Sequence, residues 1–200
     1  IGSLHNHSNL PLASKLSSFN FRVLYFAPFE LKSKSISHFF IQESIRTESG
    51  VNFFILRPAL VYGKYDPTDR FYYWLYQMKT QEQLLLPESG ERLFSVTYVN
   101  DLVNVIISSL KSNDSEEVYN VISQPKCSIQ QIINTTELLL KMKRSGVNAT
   151  AEFLYNRGIS EWADMPLWIS HDFFTFSNQK LKGDFDFELT AFEETVEQTI

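Results

Sequence analysis

The segment Val51-Asn52-Phe53-Phe54-Ile55-Leu56 is a near-continuous apolar run, and it constrains the fold more than any other feature of the chain. A strand with one face in water alternates polar and apolar residues, whereas a strand covered on both faces reads as an unbroken run and belongs to a parallel sheet. A second run of this kind, Phe21-Arg22-Val23-Leu24-Tyr25-Phe26, comes earlier and is stopped by Pro28. Between the two, residues 33–48 place Ile36, Phe39, Phe40 and Ile45 near helical spacing, and Gly50 supplies a helix stop. Strand, helix, strand predicts a parallel βαβ crossover.

The alternation continues downstream. A loop over 63–69 leads to an aromatic helix over 70–78, a short strand over 83–86, a turn over 87–90 and a strand over 94–99. Asn100 or Asp101 is placed to cap the following helix, which carries Val103, Ile106, Ile107 and Leu110. Residues 117–122 read as a strand. Ser128 opens a helix through Leu140 with Ile129, Ile132, Ile133 and Leu140 on its buried face. Past Gly146 the pattern becomes irregular and aromatic until a helical segment over 192–198. The fold class is therefore α/β with a parallel sheet. Its expected divisions are a leader without regular structure (1–20), a sheet-and-helix unit (21–145) and a smaller irregular lobe with a closing helix (146–200).

Composition excludes several functions. The net charge of −5 and the absence of any run among 18 Lys and Arg argue against a nucleic-acid groove, which needs clustered cations. Lys141, Lys143 and Arg144 read as the solvated end of a helix. A lone Cys127 cannot form an internal disulfide or a zinc site, so a reducing compartment is expected. No apolar stretch reaches the length of a membrane span, which makes a cytoplasmic protein with no membrane partner the expectation. His5 and His7 have no further ligands near them, and no metal site is expected. Starting at Ile1 and ending at Ile200, the chain reads as cropped at both ends.

Three blocks then share an order and spacing. They are Leu56-Arg57-Pro58-Ala59-Leu60-Val61-Tyr62-Gly63, Asp66-Pro67-Thr68-Asp69-Arg70-Phe71 with Tyr73-Trp74, and Tyr98-Val99-Asn100-Asp101-Leu102. They resemble the "RPxxVYG", "DPTDRF-YW" and "hVxDLA" segments of extended short-chain dehydrogenase/reductases of the NAD-dependent epimerase/dehydratase type. Residues 162–168 and 193–196 resemble the substrate lobe and closing helix of one branch. The resemblance covers residues 25–200. It implies part of a doubly wound, Rossmann-like parallel sheet and an NAD(P)-dependent oxidoreductase or epimerase acting on a small carbonyl, alcohol or sugar-nucleotide substrate. A homodimer is left open.

The resemblance also shows what is missing. The family's GxxGxxG phosphate turn is absent, so NAD or NADP is expected as the family's cofactor but not as a ligand of this chain alone. By the family's layout the dinucleotide-binding half would precede residue 1. Its YxxxK pair aligns on Glu30 and Lys34, with glutamate where a tyrosine should exchange the proton. The other reading of Glu30 is an exposed partner of Lys34 on a helix face. The resemblance implies cofactor contacts at Lys34, Pro58, Ala59 and Tyr62, and substrate contacts at Tyr62, Gly63, Asp66, Asp69, Arg70, Trp162, Met165 and Trp168. Independently, Arg57 to Gly63 ends a parallel strand, where such sheets receive ligands. Three alternatives stay open. The loop is a plain strand exit, the three lobe residues simply fill a core, and the whole chain is a non-catalytic sensing or interaction member, or an inactive fragment.

Overall fold

The apolar runs pair as their composition requires. The computed structural model describes residues 22–26, 52–111, 117–170, 174–186 and 188–200; the leader over 1–20, the helix expected over 33–48, Glu30 and Lys34 lie outside them. Strand β1 (Arg22–Phe26) runs parallel to β2 (Asn52–Pro58), and β2 runs parallel to β6 (Glu117–Val121), in the order β1-β2-β6. Successive strand residues point to opposite faces, and Phe54, Ile55 and Leu56 are all at most 1% exposed. Both faces of β2 are thus covered. On one of them Phe54, Leu56, Tyr119 and Val121 pack against Val105 of α2 (Val99–Lys111) and Leu181 of α5 (Gln179–Asp184).

After Ala59 the chain moves to a second sheet. Strand β3 (Leu60–Tyr62) lies parallel to β5 (Phe94–Tyr98), which pairs antiparallel with β7 (Gln124–Cys127). Two polar residues sit inside the wholly buried β5, and both are satisfied. Thr97 donates to the Val121 carbonyl at 2.5 Å and accepts the Ala59 amide at 2.9 Å, which ties β5 to the first sheet. Ser95 donates to the Pro125 carbonyl and accepts from the Phe176 amide.

A third pairing joins β4 (Gln83–Pro87) to β8 (Ser145–Ala149) in parallel. Neither β7 nor β8 was expected, because Gln-Pro-Lys-Cys and Ser-Gly-Val-Asn-Ala lack the apolar or alternating pattern of a strand. The expected division at 145/146 falls inside β8, whose partner β4 comes from the middle of the chain. The main core lies between these sheets, α1 (Tyr72–Thr80), α3 (Ile129–Leu140) and α6 (Phe192–Thr199), with Trp74, Leu75, Ile132 and Val196 each at most 1% exposed. Helix α1 starts two residues later than its expected start at Arg70. Ser128 caps α3 as expected, its hydroxyl accepting the Gln131 amide. Ile129, Ile132 and Ile133 are buried, but Leu140, at the last turn, is half-exposed. A short α4 (Ala151–Asn156), capped by Thr150, follows β8.

Helix α2 corrects the expected orientation. It begins at Val99, so Asn100 and Asp101 lie within it and do not precede it. Its buried row is Asp101, Val105 and Ser109, while Val103, Ile107 and Leu110 are 44–50% exposed. The Asp101 carboxylate fixes this rotation by accepting both the amide (3.1 Å) and the hydroxyl (2.7 Å) of Thr190.

Candidate functional site

The loop after β3 is built around Gly63. A Cβ there would stand 2.5 Å from Val99 Cγ1, so only glycine lets the chain pass the start of α2 this closely. The Asp66 amide returns to the Gly63 carbonyl, and the Asp69 amide to the Asp66 carbonyl. Asp66 Oδ1 accepts the Thr68 amide (2.9 Å) and hydroxyl (2.7 Å), a side-chain turn that rigidifies the loop. The Thr68 hydroxyl in turn accepts Arg70 Nε at 3.1 Å. Tyr65 and Asp69 hold left-handed φ angles of 69° and 51°, strained for residues with a side chain. The predicted ligand loop is therefore a fixed structure that aims Arg70.

Arg70 aims at Trp162. Its guanidinium carbon lies 5.5 Å from the centre of the indole ring, within cation–π range. Trp162 has a left-handed φ of 65°, and its ring also meets Phe174 at 6.1 Å. Two polar atoms of these residues are buried and without a partner among the described residues, the Trp162 indole N–H and, in the loop, Asp66 Oδ2. One is a donor and the other an acceptor. Leaving each unmade costs free energy that a bound molecule could recover.

The other two expected lobe residues behave differently. Met165 is 5% exposed and Trp168 1%, both inside the core. Trp168 stacks on Tyr155 at 5.2 Å and points its indole N–H at Glu88 Oε2, 3.4 Å away. Of these three residues, only Trp162 meets the loop, through Arg70. The structure also brings up a charged pair that the sequence reading passed over: Glu88 and Arg92, 3.2 Å apart, beside Trp168. Their i,i+4 spacing was the signal available.

Tyr62 lies inside the core. It is 2% exposed, stacks on Phe71 at 4.0 Å and shares a 2.6 Å hydrogen bond with Thr195 of α6. Burial pushes its phenol far above the ordinary tyrosine range, only partly opposed by the Thr195 bond. The bond to Thr195 makes this phenol a strut between β3 and α6. Neighbouring Tyr98 is also raised, by burial and then by Asp101 and Glu194, and donates to Gln198 of α6 at 2.5 Å. Together these bonds dock the closing helix on the strand ends.

The described residues among those expected at a dinucleotide are largely covered. Pro58 and Ala59 are half-buried at the end of β2, the Ala59 amide is taken by Thr97, and Tyr62 is sealed in the core. Among the seven glycines the nearest pair, Gly146 and Gly158, stands 12 positions apart, so no phosphate turn of the GxxGxxG kind occurs in the 200 residues. Among the described residues no group of His, Cys, Asp and Glu could hold a metal, and no helix is long and apolar enough to cross a membrane.

Comparison with known proteins bears out the resemblance and the fold class. The model of the NAD dependent epimerase/dehydratase family matches residues 33–121. No curated protein sequence matches the chain. Among solved structures, a UDP-glucuronic acid 4-epimerase from Bacillus cereus, in complex with UDP-glucuronic acid and NAD, superposes with a TM-score of 0.66 at 14% identity, over 94% of this chain and 63% of its own. A UDP-glucose 4-epimerase from Thermotoga maritima with UDP-glucose gives 0.66 at 15%, over 94% and 65%. A dTDP-4-dehydrorhamnose reductase from Bacillus anthracis in complex with NADP gives 0.64 at 16%, over 94% and 68%. The chain thus spans about two thirds of the length of such structures, and at these identities the likeness is one of fold.

Proposed function

We propose that this chain, whose residues 33–121 match the NAD dependent epimerase/dehydratase family, forms the substrate-side wall of an oxidoreductase or epimerase. Among the small carbonyl, alcohol and sugar-nucleotide substrates open to such proteins, the reading favours a nucleotide sugar. The observation that carries it is the junction of Arg70 with Trp162. Arg70 commits only Nε, to Thr68, and its two terminal nitrogens remain to take a phosphate in a bidentate grip. An anion that draws Arg70 off the ring uncovers the unpaired indole N–H of Trp162 for a ligand oxygen. Asp66 Oδ2 then takes a ligand hydroxyl, so one wall matches an anion and a polyol side by side. Such an arrangement, apolar faces with a few orienting polar groups, is what small-molecule sites have in common.

The structural neighbours in complex with UDP-sugars support the choice of probe. Titrating the 200-residue chain with UDP-glucose should quench tryptophan fluorescence saturably, and Arg70→Ala should weaken binding about tenfold or more, as for loss of a charge-assisted contact worth over 1.4 kcal/mol. Absence of saturable binding by the folded chain would remove the proposal.

A second reading, a ligand-binding protein without turnover, is favoured by one observation of the sequence, the glutamate Glu30 where the resemblance expects the proton-exchanging tyrosine. Under that reading nucleotide sugar binds while added NAD+, NADP+, NADH and NADPH show neither binding nor a change in absorbance at 340 nm. Turnover with an added dinucleotide would eliminate it.

A further inference from the structure

A cleft of about 330 Å3 opens between the β4–β8 pair and α3, and it shares no lining residue with the Arg70–Trp162 junction. Its size falls at the low end of small-molecule pockets, which run from about 300 to 1,000 Å3. The apolar part of its wall is Leu84, Leu86 and Ile133, all buried, with Leu86 leaning over Gly146 so closely that a Cβ there would come within 2.6 Å. Its polar part is Arg144, Glu137 and Glu91.

Arg144 is fixed at both ends of its reach. Its backbone amide donates to Glu137 Oε1 at 3.0 Å, and its Nε donates to the Met78 carbonyl at 3.0 Å. The guanidinium and the Glu137 carboxylate both line the cleft and form no ion pair with each other. The terminal guanidinium nitrogens and Glu137 Oε2 make no hydrogen bond or ion pair, and the Glu91 carboxylate has none either. Arg144 and Glu137 are half-buried and Glu91 exposed, and a cation and two anions lining one cleft suit a ligand that carries both signs.

The rim is strained. Glu88, Ser89 and Gly90 are three consecutive residues in the left-handed region, at φ 47°, 64° and 67°, and Asn148 on β8 holds the Ser89 amide at 2.6 Å. Ser89 and Asn148 both line the cleft. Non-glycine residues in this region persist only where surroundings over-determine them, and they gather at ligand clamps.

We infer that this cleft binds a small zwitterion with an apolar side chain, an α-amino acid of the leucine class. The α-carboxylate takes the two terminal nitrogens of Arg144, the ammonium sits between Glu137 and Glu91, and the side chain lies on Leu84, Leu86 and Ile133. The inference does not depend on the proposed function, because it concerns a different face.

The test is calorimetric titration of the 200-residue chain with L-leucine, with 4-methylpentanoate (no ammonium) and leucinol (no carboxylate) as controls. L-leucine should bind saturably at one site, with each control at least about tenfold weaker, a difference of about 1.4 kcal/mol. Arg144→Met should abolish binding; since Arg144 also holds the Met78 carbonyl, Glu137→Gln, which keeps the acceptor for the Arg144 amide but loses the charge, provides a second variant and should weaken leucine at least tenfold. Both variants should leave the UDP-glucose titration unchanged, which separates this site from the proposed one. Failure of folded wild type to bind L-leucine, equal binding of 4-methylpentanoate or leucinol, or an undiminished affinity in Glu137→Gln would each overturn the inference.

Discussion

Replacing Trp168 by alanine asks whether the aromatic lobe is a core or a ligand surface. The side chain is 1% exposed, stacked on Tyr155 and surrounded by the main apolar cluster that includes Met165 and Leu167. Truncating a buried tryptophan removes its transfer free energy and leaves a cavity, at a cost of about 3 to 5 kcal/mol. Its indole hydrogen bond to Glu88, 3.4 Å long, adds little, and Glu88 keeps Arg92 as a partner. The expected loss therefore comes from packing, and it should sit in the upper part of that range because two ring faces are covered. Urea denaturation followed by circular dichroism reads it directly. Trp162→Ala, at a half-buried ring, should cost about half as much or less. A loss below about 1 kcal/mol for Trp168→Ala, or a larger loss for Trp162→Ala, would refute the division of the lobe into one core ring and one site ring.

Three further outcomes follow from the same geometry. Gly63→Ala should destabilise the chain by about 1 to 3 kcal/mol, because the added methyl collides with Val99; an unchanged urea midpoint would contradict the close approach. Thr195→Val leaves the buried Tyr62 phenol without its partner and should cost about 1 to 3 kcal/mol, and Tyr62→Phe less, as compared by thermal unfolding. Burial raises the Tyr62 phenol above its unfolded value, so its contribution to stability is complete below pH of about 10 and is lost as pH rises beyond that, while the unfolded chain ionises first. Urea midpoints of wild type should therefore fall more steeply above pH 10 than those of Tyr62→Phe, and identical slopes would argue against a sealed phenol.

Much of the sheet could be read from residues alone, because β2 must be buried on both faces and its six-residue apolar run admits little else. The same logic failed for β7 and β8, whose polar and small residues become strands only because β5 and β4 offer them free edges. Helix α2 was legible as a helix but not in its rotation, since a buried aspartate held by Thr190, 89 positions away, outweighs the apolar row that faces water. At the candidate site, Gly63 was legible from the strand end, and Arg70 entered only through the resemblance of residues 66–71. Trp162 and Trp168 were not separable, because both lie in one irregular aromatic segment with no period to assign a face. Which ring is sealed depends on Tyr155 and Glu88, contacts that no local pattern encodes.

The most direct test of the account is the indole N–H spectrum of the three tryptophans during titration with a nucleotide sugar. Trp74 donates to the Pro166 carbonyl at 2.8 Å inside the core, while the Trp162 N–H has no partner among the described residues and Arg70 lies over the Trp162 ring. In nitrogen-15 labelled chain the Trp162 resonance should shift saturably as ligand draws Arg70 aside, with Trp74 unmoved, and the shift should disappear in Arg70→Ala. A Trp162 resonance that stays in place while ligand binds, or that moves equally in Arg70→Ala, would contradict the placement of the substrate wall.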